Sequence, residues 1–382
     1  MRYWKIIGCL GLLAVLASNV WSMSRWSEAR GVYDDLCYLR QAHLFQRFGF
    51  AGLDTNLSRD DDSYMASKLR EIGFPDWSDP SRIPCHTFMP ATGKRVLQYP
   101  PGTGFVLALF PQGFQAIPMY VLATVFSFGF ALLGIHYARS GPEILIAGAF
   151  GCFAVFLMIN PAKASYSMPL TMVICALIGL LTARLLKKTP QRRPMLLTML
   201  IGFLIGLAVN FRLANLFLSA GYFLFFGFVF LRSRKLEAFL RGGLFGMAFL
   251  FGIAPTLVTN AINAASPFAT TYGADPNDLK PPALDSSVVW AYVTDLQGVL
   301  LIVAGAWVVL IFRLYRGAGI RSVALLVALN LAVNAAYFMT HPFNPYYTIP
   351  VSMLSLWSLL FASLTPPPEI GDPRLMGQVA RV

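Results

Sequence analysis

Charge is scarce in this chain. Only 13% of its residues are Asp, Glu, Lys or Arg, about half the share in a soluble domain. That shortage excludes an ordinary solvated globule. Histidine is rarer still, with four in 382 residues. The five cysteines form no CxxC and no Cys/His spacing, which excludes the common zinc and haem-attachment motifs. No internal repeat of fixed period is visible, so solenoids and propellers are excluded. Acids number 18 against 30 Lys and Arg, a net charge of +12. The positive residues fall in short clusters between apolar runs, so the charge points to a bilayer and not to nucleic acid. What the chain has in abundance is hydrocarbon: 56% hydrophobic residues and a mean hydropathy of +0.60. It reads as an all-α polytopic membrane protein.

Ten spans are expected, at about 4–22, 117–138, 143–159, 168–186, 195–210, 213–231, 243–261, 289–312, 322–339 and 346–364. Pro142 and Pro194 sit at two of the helix starts, where a missing N–H costs nothing. One set of helix ends carries 17 of the 30 positive residues, Arg2, Lys5, Arg184, Lys187 and Arg234 among them. The opposite set has only Lys163, Arg212 and Lys280, apart from ten in the long first loop. The positive-inside rule then places both termini in the cytoplasm, in a cytoplasmic (inner) membrane. The chain divides into a first helix (1–22), a large outer loop (23–99), a membrane domain (100–364) and a cytoplasmic tail (365–382). The basic "MRYWK" and the apolar run after it also fit a cleaved signal peptide. An uncleaved helix suits the even span count better.

The outer loop opens with an expected helix at 35–48, stopped by Gly49. Tyr38, Ala42, Phe45 and Phe48 share one face, and Arg40, His43 and Arg47 the opposite one. Such a helix suits a membrane interface or a solvated surface. A second short helix is expected near 64–72. Asp60, Asp61 and Asp62 resemble a metal-binding DxD element, although a turn or helix cap explains them more simply. Cys37 and Cys85 share this loop, and an oxidising compartment would permit a disulfide. Cys9, Cys152 and Cys175 lie in apolar helices as packing residues. In "QYPPGTGFVLALFPQGF" the apolar piece is too short to span, so 103–115 reads as a partial or interfacial helix.

Polar residues at membrane depth default to function. Asn160, Lys163 and Tyr166 lie in "INPAKASYSMP", and Asn210, Arg212 and Asn215 in "VNFRLANLF". Asn330, Asn334, Tyr337 and His341 draw one stripe along a helix towards Tyr346 and Tyr347. Each has a plain structural reading. Arg212 and Lys163 can snorkel to lipid phosphates, and the Asn stripe can bridge helices. In "YDDLC", Asp34 is placed as an N-cap and Asp35 at the first helical position. Adjacent helical residues do not share a face, so the two acids have different jobs.

An apolar first helix, then "YDD", then "YPPGTG", resembles the GT-C superfamily of integral-membrane glycosyltransferases. The likeness is to the branch of protein mannosyltransferases and aminoarabinose transferases. "SYSMPLTMVICALIGLL", "FRLANLFLSAGY" and "HPFNPYYTIPV" resemble its middle and late segments. An Arg-Tyr pair common in the late segment is absent; His341, Tyr346 and Tyr347 stand in its neighbourhood. The resemblance implies transfer of a sugar from a polyprenyl-phosphate donor to a glycan, lipid or protein acceptor outside the membrane. It implies a catalytic base at Asp34 or Asp35, Asp34 being the first of the pair. Arg212, Lys163 and His341 are then candidates for the donor phosphate. Tyr99, Tyr166, Asn334, Tyr337, Tyr346 and Tyr347 are candidates for the substrate cavity. No cofactor is expected, with a divalent metal left open. The chemistry demands that an acid of the pair share one cavity with Arg212 or Lys163. The other readings are a lipid-linked oligosaccharide polymerase or ligase, a transporter or flippase, and a non-enzymatic membrane subunit.

Overall fold

The computed structural model describes residues 1–28, 33–159, 165–187, 194–272 and 283–364. Lys163, Asn160, Lys280 and the 365–382 tail therefore lie outside the described residues. The chain is mostly helical. Helix α1 (Arg2–Met23) leads into the polar segment expected to be the outer loop, which holds α2 (Tyr33–Phe48), 3₁₀ turns at Gly49–Leu53 and Leu57–Arg59, α3 (Tyr64–Glu71), strands β1 (His86–Met89) and β2 (Lys94–Leu97), and α4 (Gly102–Leu107). The apolar bundle follows as α5 (Ala116–Tyr137), α6 (Gly141–Phe156), α7 (Ser167–Leu186), α8 (Pro194–Val209), a 3₁₀ stretch (Leu213–Ser219) continuous with α9 (Ala220–Ser233), and α10 (Leu236–Ala264). It closes with α11 (Ser286–Thr294), α12 (Leu296–Leu314), α13 (Ala318–Met339) and α14 (Ile349–Leu364).

Among the described residues, seven helical segments are long and apolar enough to cross a membrane: α1, α5, α7, Leu213–Ser233, α10, α12 and α13. Helices α6, α8 and α14 have 16 residues each, about 24 Å at 1.5 Å per residue, short of a 30 Å hydrocarbon core. They overlap the expected 143–159, 195–210 and 346–364 spans; α6 starts two residues early and ends three early, α8 is displaced by one residue, and α14 starts three residues late. The expected 289–312 span is broken at Asp295, which ends α11 and whose side chain accepts the Gln297 N–H to cap α12. The expected partial helix at 103–115 is reduced to the six residues of α4. Two short strands, not foreseen, pair antiparallel with His86 opposite Leu97 and Met89 opposite Lys94.

Helix α14 is buried on all sides from Ile349 to Ala362, against α7, α12 and α13. A helix apolar all round belongs at a centre, not an edge. Helices α8 and α10 pack backbone to backbone through Gly202, Gly206 and Gly252, where a Cβ would collide with Phe245, Phe249 and Phe203 carbonyls. Small residues allow such close approach in a membrane. Asn210 ends this pair with a specific bond set. Pro255 interrupts α10, and the Asn210 side chain fills the break. Its Nδ2 donates to the Gly252 carbonyl at 2.7 Å, and its Oδ1 accepts the Thr256 N–H at 2.9 Å. Those two groups would otherwise bond each other in the i to i−4 ladder.

The outer segment is fastened to one end of the bundle. Asn263 at the end of α10 accepts the Thr55 N–H (3.0 Å) and donates to the Leu53 carbonyl (2.8 Å). The Glu28 carboxylate accepts the N–H groups of Gln115 and Ala116 at the start of α5. "YPPGTG" packs α4 into a corner. The Gly102 N–H donates to the Asn210 carbonyl at 2.7 Å, and a Cβ on Gly102 would lie 2.7 Å from that oxygen. A Cβ on Gly104 would strike the Gln41 side chain of α2. The motif needs glycine because two backbones and a helix meet there.

Candidate functional site

A polar cavity of about 340 Å³ opens at this fastened end. Asp34 and Tyr38 of α2, Gln98 and Tyr99 after β2, Arg212 after α8, Tyr272 after α10, and Asn344, Tyr346 and Tyr347 before α14 line it. Elements far apart in the chain begin or end there, so side chains from distant stretches converge. The bundle's apolar grooves, one between α8 and α10 and one between α9 and α13, face outward and hold no charge.

The first turn of α2 separates the acid pair. Helix α2 begins at Tyr33, so Asp34 is inside the helix and not its N-cap, a correction to the sequence reading. Asp34 and Tyr38 are four residues apart and share a face. The Tyr99 hydroxyl donates to Asp34 Oδ1 at 2.6 Å, the short distance expected for a carboxylate acceptor. Asp35 is fully buried and turned elsewhere: its Oδ1 accepts the Tyr166 N–H at 3.0 Å. It joins α2 to the start of α7. Burial, then the Asp34 charge, push the Tyr99 phenol far above its usual range. Tyr99 therefore stays protonated and stays a donor.

Arg212 supplies the cation. It is 6% exposed, its Nε has no hydrogen-bond partner, and among the described residues no carboxylate lies within ion-pair distance. Aromatic rings surround it instead, with the guanidinium carbon 4.0 Å from the Tyr347 centroid and 4.6 Å from that of Tyr346. Cation–π contact stabilises a guanidinium without neutralising it. The charge remains available to an anion. Tyr346 sits at φ +63°, a left-handed conformation that costs a non-glycine residue about 1–3 kcal/mol.

A residue the sequence did not flag holds that strained loop. Gln297 is fully buried. Its Oε1 accepts the Thr348 N–H (2.9 Å) and hydroxyl (3.0 Å), and its Nε2 reaches the Asn344 carbonyl at 3.4 Å. One amide thus clips both ends of the turn that carries Tyr346 and Tyr347. Tyr38, Gln98, Tyr272 and Asn344 were also missed. They lie in a helix face or in loops with no local pattern to mark them.

Several expected site residues lie elsewhere. His341 is not among the lining residues; its Nδ1 hydrogen-bonds the Tyr337 carbonyl (2.7 Å) and its ring stacks on Tyr337. Tyr337 stacks in turn on Phe217. Asn334 is buried between helices and donates to the carbonyls of Phe217 and Asn330, while Asn330 accepts the Gly221 N–H. The stripe is interhelical bonding, because buried amides in lipid seek neighbouring backbone. Tyr166 is buried, with its hydroxyl donated to the Glu28 carbonyl. Tyr99, Tyr346 and Tyr347 do line the cavity.

The outer loop departs from expectation in the same physical way. Helix α2 is buried from Asp35 to Phe45, so it is not interfacial. Its basic stripe meets the acidic run one for one. Arg40 lies 3.7 Å from Asp60, His43 is 2.7 Å from Asp62, and Arg47 is 2.6 Å from Asp61. These acids are committed to cations. Among the described residues no cluster of His, Cys, Asp and Glu is arranged to hold a metal. Arg40 also donates to the Thr55 carbonyl and to His86 Nε2, both at 3.1 Å. His86 Nδ1 donates to the Pro84 carbonyl at 2.8 Å, so the imidazole is neutral. Burial and the nearby Arg40 lower its pKa to about 3. Cys37 and Cys85 are joined in a disulfide.

The chain is therefore a mostly helical, membrane-type protein with a polar cavity at one end of its apolar bundle. No family model, curated protein or solved structure matches it.

Proposed function

We propose that this protein is a membrane glycosyltransferase that moves a sugar from a polyprenyl-phosphate donor to an acceptor hydroxyl outside the cytoplasmic membrane. One observation carries the reading. Asp34 and Arg212, the demanded acid and cation, line the same cavity. In this reading α6, α8 and α14 join the seven longer helices as ten spans, both termini face the cytoplasm, and the cavity faces the exterior. The bilayer is then the route by which the lipid donor arrives.

The mechanism needs few groups. Asp34 takes the proton of the acceptor hydroxyl as the new C1–O bond forms. The bond from C1 to the phosphate oxygen breaks on the opposite face, which inverts the anomeric carbon. The proton rests on the Asp34 carboxyl, and the lipid phosphate leaves with the electron pair. A positioned base contributes about 10²–10⁴-fold. Arg212 stabilises charge gathering on the departing phosphate in a site of low dielectric. Ring faces and phenol hydroxyls of Tyr38, Tyr99 and Tyr272 suit a sugar, which is apolar on its C–H faces and polar at its edges.

The test is a glycan profile of host cells carrying Asp34→Asn, Arg212→Ala or Asp35→Asn. Loss of one glycan is expected for Asp34→Asn and Arg212→Ala at normal protein level. Asp35→Asn is expected to lower the amount of folded protein. Unchanged glycans in Asp34→Asn would overturn the base assignment.

A further inference from the structure

Asp34 has one hydrogen-bond partner among the described residues, the hydroxyl of Tyr99. That phenol is held by contacts that do not involve its hydroxyl. Its ring stacks on Tyr38 at 4.8 Å and meets the edge of Tyr272 at 6.1 Å. Its carbonyl accepts from Gln41 Nε2 at 3.4 Å. The N–H of the preceding Gln98 donates to the Cys85 carbonyl at 2.9 Å. Cys85 is bonded to Cys37, three residues beyond Asp34 on α2. Two stacked rings, a helix and a covalent link thus fix where the hydroxyl points.

We propose that Tyr99 is the positioning residue of Asp34. Its hydroxyl occupies Oδ1, so Oδ2 is the oxygen presented to the acceptor. This inference rests on the reading of Asp34 as the base. The high pKa of Tyr99, caused by burial and then by Asp34, keeps the donor in place at any working pH. The other groups facing Asp34 are Tyr38 on its own helix, Arg212, Tyr272, Tyr346 and Tyr347. Burial raises the phenols of Tyr38, Tyr272 and Tyr346, so Arg212 is the fixed charge among them.

Tyr99→Phe removes the hydroxyl and keeps the ring in its stack. A hydrogen bond to a charged group is worth roughly tenfold to hundredfold in an equilibrium or a rate. Tyr99→Phe is expected to lower glycan transfer in the host by about tenfold or more, while protein level and the melting temperature of the full chain in lipid nanodiscs stay as in the parent. A fluorinated tyrosine at position 99 restores the hydroxyl and is expected to restore transfer, which a merely structural ring contact would not do. Transfer in Tyr99→Phe within about twofold of the parent, or a loss that the fluorinated tyrosine does not rescue, overturns the inference. The reading of Asp34 as base fails separately, if Asp34→Asn retains full transfer.

Discussion

The Cys37–Cys85 disulfide ties the helix that carries Asp34 to the hairpin that leads to Tyr99. Replacing both cysteines with serine cuts that tie. The two cysteines are 48 residues apart. Closing a loop of that length removes chain entropy from the opened segment equivalent to about 4 kcal/mol. A second tie survives the change, since Arg40 on α2 still reaches His86 on β1. The full entropic figure is therefore an upper value. At about 1.36 kcal/mol per factor of ten, it corresponds to roughly a thousandfold rise in opening of the outer segment. Hydrogen exchange followed by mass spectrometry reads this directly. Amides of β1 and β2 should lose protection by roughly a hundredfold to a thousandfold, while α14 at the bundle centre keeps its own. Protection in the hairpin unchanged to within about threefold would refute the reasoning. Equal loss in α14 would also refute it, because the tie would then belong to the whole fold.

Two further perturbations separate the supports of the site. Gln297→Ala strips partners from the Thr348 N–H and the Asn344 carbonyl, and each buried group left unpaired costs about 1–3 kcal/mol. Thermal unfolding in detergent should show the loss, with Gln297→Glu restoring the part due to Oε1; an unchanged melting temperature in Gln297→Ala would refute the clip. The hairpin should also loosen in acid. His86 has a folded pKa lowered from 6.5 to about 3, so its contribution is fully present above pH 6.5 and is lost as the pH falls towards 3, by at most about tenfold in opening per pH unit. His86→Gln should flatten that slope in hairpin exchange corrected for intrinsic rate, and a slope identical to that of the parent protein would exclude His86 as its source.

How much of this was legible depends on how local the governing physics is. Long apolar runs announce themselves, because lipid requires continuous hydrocarbon, and each expected span overlaps an apolar helix. Their ends moved where a side chain decides the boundary, as Asp295 does by capping α12. The hairpin was illegible. Its strands have four residues each, too few for an alternation to stand out from turn-rich sequence. The acid pair was partly legible, since adjacent helical positions diverge. The stripe of Asn330 and Asn334 misled because a polar stripe looks the same whether it faces a cavity or a neighbouring backbone. Tyr272 and Gln297 were beyond reach, being brought to the site only by the end of α10 and the break before α12.

Charge pairing is what distinguishes the cavity from the rest of the outer segment. Asp54 pairs with Lys94, Asp60 with Arg40, Asp61 and Asp62 with Arg47, and Asp76 and Asp79 with Arg82. Most of these pairs are solvent-exposed and worth little individually. Each of these acids lies within ion-pair distance of a cation. Asp34 and Arg212 are in no ion pair among the described residues, yet both line one cavity. A guanidinium 6% exposed with no counter-ion among the described residues is costly, and two aromatic rings lower that cost. A carboxylate there would neutralise the cation. Rings stabilise it and leave its charge in place, while the Tyr99 phenol holds one oxygen of Asp34. A structural anchor has no need of either arrangement. The transfer proposed above, in which a phosphate would sit beside a reacting hydroxyl, calls for both.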